Sequence, residues 1–471
     1  MLLGFPPPTA SELRALLALA LPVITVQVGL MAMGVADTIM VGHVSAAALA
    51  AVALGNLYFF GAAIFGMGTL MALDPVVAQA VGAGDQAGVA RGIQRGLVLA
   101  GLLVIPAALL LAPAPAVLAW LRQPDEVIPQ AAAYARISIP GTLGFYAFVV
   151  LRQSLQAMGR VRPILITVVV ANLVNVALNW MLIYGRLGFP ALGARGAAWA
   201  TVISRLVLAL LLLRLGWPLL APHLRPLRRE ALEPGPLRRL FVLGAPIGVQ
   251  HQLEYGVFGL VGVLMGVLGA DQMAGHQIAL NLASVTFMVP LGLSAAAAVL
   301  VGHAVGREDP EGARRSASAA MACAVGFMGA TAIAFVALPR TLAGLYTNVT
   351  PALLVAATLI PIAGVFQVFD GIQVTSIGVL RGLGDTRTPM VVNLLGFWFI
   401  GLPVSLWLGF GAGLGPQGLW WGLVIGLVLV AAVLLLRVRA RLRGPLRRLH
   451  LEHAAPEPPP DRTDPCCVST P

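Results

Sequence analysis

Long apolar stretches alternate along the whole chain with short polar breaks rich in glycine, proline or arginine. A helix that crosses a lipid bilayer needs about 20 mostly apolar residues. Twelve stretches meet this requirement, at residues 14–37, 46–72, 92–112, 129–151, 163–184, 193–214, 238–263, 271–301, 317–338, 352–379, 389–410 and 416–436. The pattern therefore predicts an all-α integral membrane protein with twelve transmembrane helices.

The second half of the chain repeats the first at a spacing of 224 residues. Pro22 and Pro246 are related by this spacing, and so are Asp85 and Asp309. Each repeat contains six predicted helices, and an even number inserts both repeats in the same orientation. We therefore expect two six-helix lobes related by a pseudo-two-fold axis along the membrane normal.

The breaks in composition predict four segments. We expect an N-terminal lobe at residues 1–215, a cytoplasmic linker rich in proline and arginine at 216–237, and a C-terminal lobe at 238–440. Residues 441–471 have the basic, proline-rich composition of a disordered tail.

Composition and charge support a membrane protein and exclude nucleic acid as the reason for the basic excess. Only 10% of the 471 residues are charged and the mean hydropathy is +0.90, whereas soluble domains contain about 25% charged residues. The net charge is +11, and all 30 basic residues are arginine. Most of them fall at the N-terminus, in the even-numbered loops and in the tail, while the opposite loops hold only Arg122, Arg186, Arg195 and Arg340. The positive-inside rule then places both termini in the cytoplasm, with attraction to anionic lipid as a secondary effect.

Two acidic residues lie inside predicted membrane spans of the C-terminal lobe. Glu254 follows Arg239 by about 22 Å of helix, and Asp370 precedes Arg381 by about 16 Å, so both acids lie deep in the membrane. Intramembrane carboxylates are costly and usually belong to a transport pathway. Three interpretations remain open: neutral groups that serve helix packing, carboxyl groups that take up and release a proton, or a pair of carboxylates around a sodium ion.

Other polar residues occur at helical spacing within the spans. His251 shares a helical face with Glu254 and is either a hydrogen-bonded core residue or a group that tunes the acid. Two polar rows either join helices by hydrogen bonds or line a wet cavity: Asn172, Asn175 and Asn179 in the fifth span, and Gln277 and Asn281 in the eighth. Asp37, at the end of the first span, is either a solvated helix end or a functional acid.

Sequence motifs for enzymatic chemistry are lacking. The chain contains no Walker A loop, GxSxG, HExxH or paired CxxC motif, and its three cysteines have no metal-ligand spacing. We therefore expect neither an enzyme nor a protein that requires a cofactor.

Four segments together resemble the multidrug and toxic compound extrusion (MATE) family, specifically its NorM-type bacterial branch: LALPVITVQVGLMAMGVADTIMVGH, MALDPVVAQAVGAGD, GHQIALNLASVTFMVPLGLSAAAAVLVGHAVG and GVLRGLGDTRTP. The resemblance implies twelve helices in two lobes around a central cleft. It also implies that Glu254 and Asp370 are the cation-site acids of the C-terminal lobe, that Asp37 is the acid of the N-terminal lobe, and that Pro22 supports a bend in the first helix. Phe366 stands where sodium-coupled members have a tyrosine, which removes an oxygen and weakens the case for sodium.

The function expected from this resemblance is secondary active multidrug efflux, and hence drug resistance. Amphipathic, often cationic compounds would move outward across the bacterial inner membrane against an inward flow of Na⁺ or H⁺, by alternating access in a monomer surrounded by lipid. The alternative is a lipid-linked precursor flippase of the same superfamily. Such flippases carry basic residues in the cavity, for which Arg136 and Arg205 are the candidates in this chain.

Overall fold

The computed structural model describes residues 7–449, and the regular structure in this range is entirely helical. Twelve helices are long and apolar enough to cross a membrane, which confirms the predicted spans. In chain order, α1 to α12 are Ala10–Gly42, Ala46–Gly82, Gln86–Leu111, Ile128–Ala157, Arg162–Tyr184, Ala194–Leu224, Pro234–Leu268, Ala270–Gly306, Pro310–Ala337, Thr350–Gly382, Arg387–Gly411 and Gly415–Arg443.

Most helices extend beyond the apolar stretches from which they were predicted. Hydropathy marks the part of a helix that lies in hydrocarbon, whereas the helix itself continues until a cap or a turn ends it. Thus α1 runs through Pro22 without interruption and reaches Gly42. In α2 a turn at Met71–Ala72 separates Ala46–Leu70 from Leu73–Gly82.

The helices form two lobes of six. In the N-terminal lobe α4 packs against α2, α3 and α6, and α5 packs against α1 and α6. In the C-terminal lobe α10 is central and contacts α8, α9 and α12.

The internal repeat is visible as equivalent caps in the two lobes. Asp85 begins α3 by accepting a hydrogen bond from the Gly88 N–H at 2.7 Å. Asp309 begins α9 in the same way, with the Gly312 N–H at 2.8 Å. Aspartate is a preferred N-cap because its carboxylate satisfies a free amide of the first turn.

The pseudo-two-fold axis passes between the ends of α2 and α8. A side chain on Gly82 would overlap the carbonyl oxygen of His303, and one on Gly306 would overlap that of Gln79. These contacts are exchanged by the 224-residue shift, because Gln79 corresponds to His303 and Gly82 to Gly306. Glycine at both positions lets the two helix backbones meet at the axis.

The lobes are joined on one side of the membrane, the side that carries residues 10 and 443 and is called here the terminal face. There the Gln79 amide donates to the Gly382 carbonyl at 2.9 Å and Arg315 pairs with Glu12 at 3.6 Å. Nearer mid-membrane the Tyr255 hydroxyl donates to the Leu57 carbonyl at 2.9 Å. These contacts therefore join the two lobes at the terminal face and near mid-membrane.

The segment expected as a linker, residues 216–237, is largely helical. It contains the last turns of α6, a 3₁₀ turn at Arg229–Leu232, and the start of α7 at Pro234. Only residues 225–233 connect the two spanning helices. Proline and arginine made the segment look irregular, but prolines in the first turn of α7 are compatible with helix.

The tail that we expected to be disordered from residue 441 begins with the end of α12, followed by an ordered segment up to Leu449. The Arg448 guanidinium lies 2.6 Å from the Asp85 carboxylate, and the Leu449 N–H donates to Gln79 Oε1 at 2.8 Å. These contacts attach the end of the C-terminal lobe to the N-terminal lobe. The rest of the predicted disordered tail, residues 450–471, lies outside the described residues.

Candidate functional site

Glu254 lies in the interior of α7 and is held by three side-chain amides. Gln250 of the preceding turn donates to Glu254 Oε1 at 3.2 Å, and Gln373 of α10 donates to the same oxygen at 3.3 Å. Asn393 of α11 also donates to it. The carboxylate is thus surrounded by donors from three helices, which offsets part of the cost of placing it in the membrane.

Asp370 lies on α10 within electrostatic range of Glu254. Within residues 7–449 no protein group donates a hydrogen bond to its carboxylate, and the residue is half-buried. The two acids are therefore within electrostatic range of each other. Three amides donate to Oε1 of Glu254, whereas no described residue donates to the Asp370 carboxylate. The side-chain amide oxygen of Gln373, whose nitrogen donates to Glu254, is buried and lacks a hydrogen-bond partner among the described residues.

Asn393 lies beside an irregular part of its helix. It is the last residue of the α-helical start of α11, and Leu394–Gly401 continues as a π-helix. Such wider turns are rare and concentrate at functional sites, because they redirect side chains relative to a regular helix. Asn393, which donates to Glu254, therefore lies directly before a π-helical segment.

Phe366 is buried in an aromatic cluster one turn before Asp370. Its ring makes edge contacts with Phe258 and Trp420, with ring centroids 6.1 and 6.0 Å apart. Trp420 in turn donates its indole N–H to His276 Nδ1 at 3.2 Å. Phe366 thus places a buried carbon ring, with no oxygen, one turn before Asp370.

The other residues predicted around this acid pair have different surroundings. His251 is half-buried, and its Nδ1 has no hydrogen-bond partner within the described part of the chain. On α8, Gln277 is exposed and Asn281 is half-buried. The exposed and half-buried positions are compatible with a wet surface in the C-terminal lobe.

Asp37 is at the centre of a second polar cluster, in the N-terminal lobe. Its carboxylate accepts hydrogen bonds from Asn179 of α5 and, at 2.9 Å, from the Thr201 hydroxyl of α6. Asn179 also donates to Asn175 Oδ1 at 3.2 Å. Asp37 is only 6% exposed, so the alternative of a solvated helix end is wrong. The helix continues past Asp37 to Gly42, and this places the carboxylate between helices.

The asparagine row of α5 forms interhelical hydrogen bonds. Asn172 donates to the Gly29 carbonyl of α1 at 3.0 Å. This contact lies about two helical turns from the contact between Asn179 and Asp37. Asn175 and Asn179 are fully buried. Of the two interpretations left open for this row, hydrogen bonding between helices describes the observed geometry.

A buried ion pair connects the two lobes. It lies between the level of the two polar clusters and the terminal face. The Arg381 Nε of α10 lies 3.3 Å from the Asp74 carboxylate of α2, and both side chains are at most 5% exposed. Gln153 of α4 donates to the same carboxylate oxygen at 3.3 Å. Arg381 also lies within electrostatic range of His251, which is three residues before Glu254 on α7.

The two arginines considered as basic cavity residues do not line a cavity together. Arg205 is buried, with its guanidinium 3.7 Å above the centre of the Phe59 ring. Arg136 is exposed and donates to the Ala112 carbonyl at 3.0 Å. Neither arrangement resembles an open basic surface for a lipid-linked phosphate.

Sequence reasoning missed the amide and hydroxyl partners of the acids. Gln250, Gln373, Asn393 and Thr201 complete the two clusters, yet a neutral polar residue in a span is common enough to attract no attention. One signal was present: Gln367, Asp370 and Gln373 occur at three-residue spacing and form a polar stripe along α10.

A two-lobed helical bundle with buried carboxylates beside a central cleft is the architecture of a membrane transporter. The family model MatE matches residues 22–181 and 246–407, one segment in each lobe. The chain is 36% identical over 444 residues to "Multidrug resistance protein MdtK" of Edwardsiella ictaluri (strain 93-146), covering 92% of this chain and 96% of that protein. It is 37% identical over 454 residues to "Multidrug resistance protein PmpM" of Pseudomonas aeruginosa PAO1, covering 93% of each. The chain therefore belongs to the MatE family, whose members are transporters and not enzymes.

The fold agrees with a solved structure of a distant member. The crystal structure of the eukaryotic MATE transporter AtDTX14 superimposes with a TM-score of 0.84 at 23% identity, covering 92% of this chain and 98% of that one. The two-lobed, twelve-helix architecture is thus shared.

Proposed function

We propose that the protein is a secondary active multidrug exporter of the bacterial inner membrane. It moves amphipathic, often cationic organic compounds outward in exchange for an inward flow of H⁺ or Na⁺. The named relatives are multidrug resistance proteins, which supports this substrate class. The concentration of arginine at the terminal face supports a cytoplasmic location for both termini.

The observation that carries the proposal is the acid pair in the C-terminal lobe. Glu254 and Asp370 bring two carboxylates together inside the membrane, and such an arrangement is stable only when a positive charge compensates it. A proton or a sodium ion can supply this charge, and so can an organic cation. Exchange between the two is the elementary step of antiport.

The observed conformation fits one half of an alternating-access cycle. The lobes are in contact at the terminal face, as an outward-facing state requires. In this state a cation arriving at Asp370 would compete with the organic compound for the same negative charge, directly or through the conformation of the lobe.

The two candidate cations make different demands on the site. A proton needs only one carboxylate oxygen, and Asp370 has its oxygens free of donors from the described residues. A sodium ion would need several oxygens, which Glu254, Asp370 and the unpartnered Gln373 carbonyl can supply, while Phe366 adds none. Phe366 offers no oxygen to a sodium ion, and the Asp370 carboxylate, which receives no hydrogen bond from the described residues, can take up a proton; both features favour the proton.

Efflux driven by separate gradients tests the proposal. Everted vesicles or proteoliposomes that contain the protein are loaded with a fluorescent cationic dye and energised by a pH gradient or by a sodium gradient alone. We expect transport with at least one gradient, and a loss of about tenfold or more in Glu254→Gln and Asp370→Asn. Exposed Asp271 on α8 provides the control Asp271→Asn, which should transport normally. Unchanged efflux in both acid variants would refute the exporter mechanism.

A further inference from the structure

A large cavity opens at the terminal face of the C-terminal lobe, well away from the acid pair. It has a volume of about 810 Å³ and lies between the first turns of α7, the loop from α10 to α11, and the last turns of α12. This size is typical of ligand sites. Five arginines line it, and we call it the arginine cavity: Arg238, Arg239, Arg387, Arg437 and Arg441.

Within residues 7–449, Asp385 is the single acidic residue that lines the arginine cavity. The Asp385 carboxylate is 2.8 Å from the Arg437 guanidinium and 3.8 Å from that of Arg441. Within residues 7–449, Arg238 and Arg387 have neither an ion pair nor a hydrogen bond from their guanidinium groups. The cavity therefore offers unpaired guanidinium donors, which bind phosphate oxygens in a bidentate manner.

Apart from Thr386, the rest of the lining is apolar or glycine. Val242 and Leu243 continue the α7 wall toward the membrane interior, and Leu449 of the tail covers the other side. Val242 is 40% exposed, although it is one turn deeper in the span than Arg238. A ligand that fits this surface has a negatively charged head and a hydrocarbon continuation.

We propose that the arginine cavity binds the phosphate headgroup of an anionic phospholipid, with an acyl chain lying along α7. Basic cavities between the ends of transmembrane helices are known to select anionic headgroups. The site is separate from the cleft and does not depend on the proposed transport function. A soluble phosphate shares the headgroup chemistry, but it would leave the apolar wall at Val242 and Leu243 uncovered.

A binding experiment on the unaltered protein distinguishes a lipid headgroup from free phosphate as the ligand. Purified protein in detergent is titrated with phosphatidylglycerol, phosphatidylcholine or inorganic phosphate, while native mass spectrometry counts bound lipid and thermal unfolding is recorded. We expect one phosphatidylglycerol molecule to bind more tightly than the others and to raise the unfolding temperature. Equal affinity for phosphatidylcholine would overturn the proposal, and so would an equal thermal shift with inorganic phosphate at the same phosphate concentration.

A matched pair of double variants locates the site. Arg238→Gln/Arg387→Gln removes the two unpaired arginines of the cavity. Arg443→Gln/Arg447→Gln removes two exposed arginines of the same membrane surface that lie outside it. Both variants lose the same net charge, so a general electrostatic effect weakens both equally. We expect phosphatidylglycerol to bind roughly 30-fold more weakly to the first variant and nearly normally to the second. Equal losses in the two variants would refute a defined site.

Discussion

At the scale of single residues, the chemistry of the protein is carried by acids that the fold surrounds with neutral donors. Glu254 and Asp370 could be identified from the sequence because carboxylates are rare and costly inside a span. Their amide partners could not be identified in this way. Gln373 and Asn393 lie on other helices, and no local sequence pattern reveals where those helices lie relative to α7. Asp37 illustrates the same limit: its depth was estimated from helical rise, but its burial depends on Thr201 of another helix.

Removing one donor from the Asp37 cluster should destabilise the protein. In Asn179→Ala the buried carboxylate keeps its contact with Thr201 but loses its shortest hydrogen bond. The cost of leaving a buried polar group unsatisfied is about 1–3 kcal/mol, so we expect a lower unfolding temperature in detergent. Gln277→Ala, at an exposed position of α8, serves as the control. An unfolding temperature equal to that of the parent would show that the Asn179 contact carries no stability.

At the scale of elements, hydropathy predicted the twelve helices well but not where they end or how the tail lies. An apolar run of sufficient length has few alternatives to a membrane-spanning helix. The ends depend on contacts such as the Asp85 cap, and the tail segment depends on Arg448 reaching that cap. Asp309, the repeat equivalent of Asp85, caps α9 in the same way, and no arginine of the ordered tail contacts its carboxylate within residues 7–449.

The tail contact should depend on the charge of Asp85. Asp85→Asn retains an N-cap oxygen but loses the ion pair with Arg448. Asp309→Asn makes the same change in the equivalent cap of α9, which Arg448 does not contact. Hydrogen exchange at the Leu449 amide, which donates to Gln79, reports whether the tail is docked. We expect protection to fall roughly two- to fivefold in Asp85→Asn and to be unchanged in Asp309→Asn. Equal protection in the two variants would contradict a role for the ion pair.

The same contact should respond to acid in one direction. Burial alone would raise the pKa of Asp85, but the Gly88 N–H and the Arg448 guanidinium outweigh it and hold the pKa below its ordinary value of 3.8. The ionised form is therefore favoured when the tail is docked. The docked state should persist at pH 5 to 7 and be lost only as the pH falls below about 4. Exchange protection of Leu449, corrected for the intrinsic rate, that stays constant as the pH falls below about 4 would show that other contacts hold the tail.

At the scale of the whole molecule, the buried pair of Asp74 and Arg381 joins the lobes where alternating access requires them to separate. The contacts between the lobes include this pair together with the glycine contacts at the pseudo-two-fold axis. The internal repeat predicted the axis, since equivalent positions recur at a fixed spacing. It could not predict the ion pair, because Asp74 and Arg381 are not repeat equivalents.

Breaking the ion pair on one side should shift the lobes away from the observed state. Removing one partner of a buried pair leaves an uncompensated charge and costs about 3–5 kcal/mol. We expect Asp74→Asn and Arg381→Gln each to lower the unfolding temperature and to widen spin-label distances across the terminal face. The double variant removes both charges of the pair and should recover part of the loss, while buried Arg152, which also lies within electrostatic range of Asp74, accounts for the remainder. Strictly additive effects in this cycle would show that the two residues do not act as a pair.

The exchange of cations at Glu254 and Asp370 can be measured directly on the purified transporter. Ethidium is added to the protein in weakly buffered detergent solution, and released protons are followed with a pH-sensitive dye, or released sodium with ²²Na⁺. We predict that ethidium binding displaces a cation from the parent protein and from Asp271→Asn, but not from Asp370→Asn or Glu254→Gln. Release from the two acid variants equal to that of the parent would contradict the assignment of the acid pair as the site of exchange.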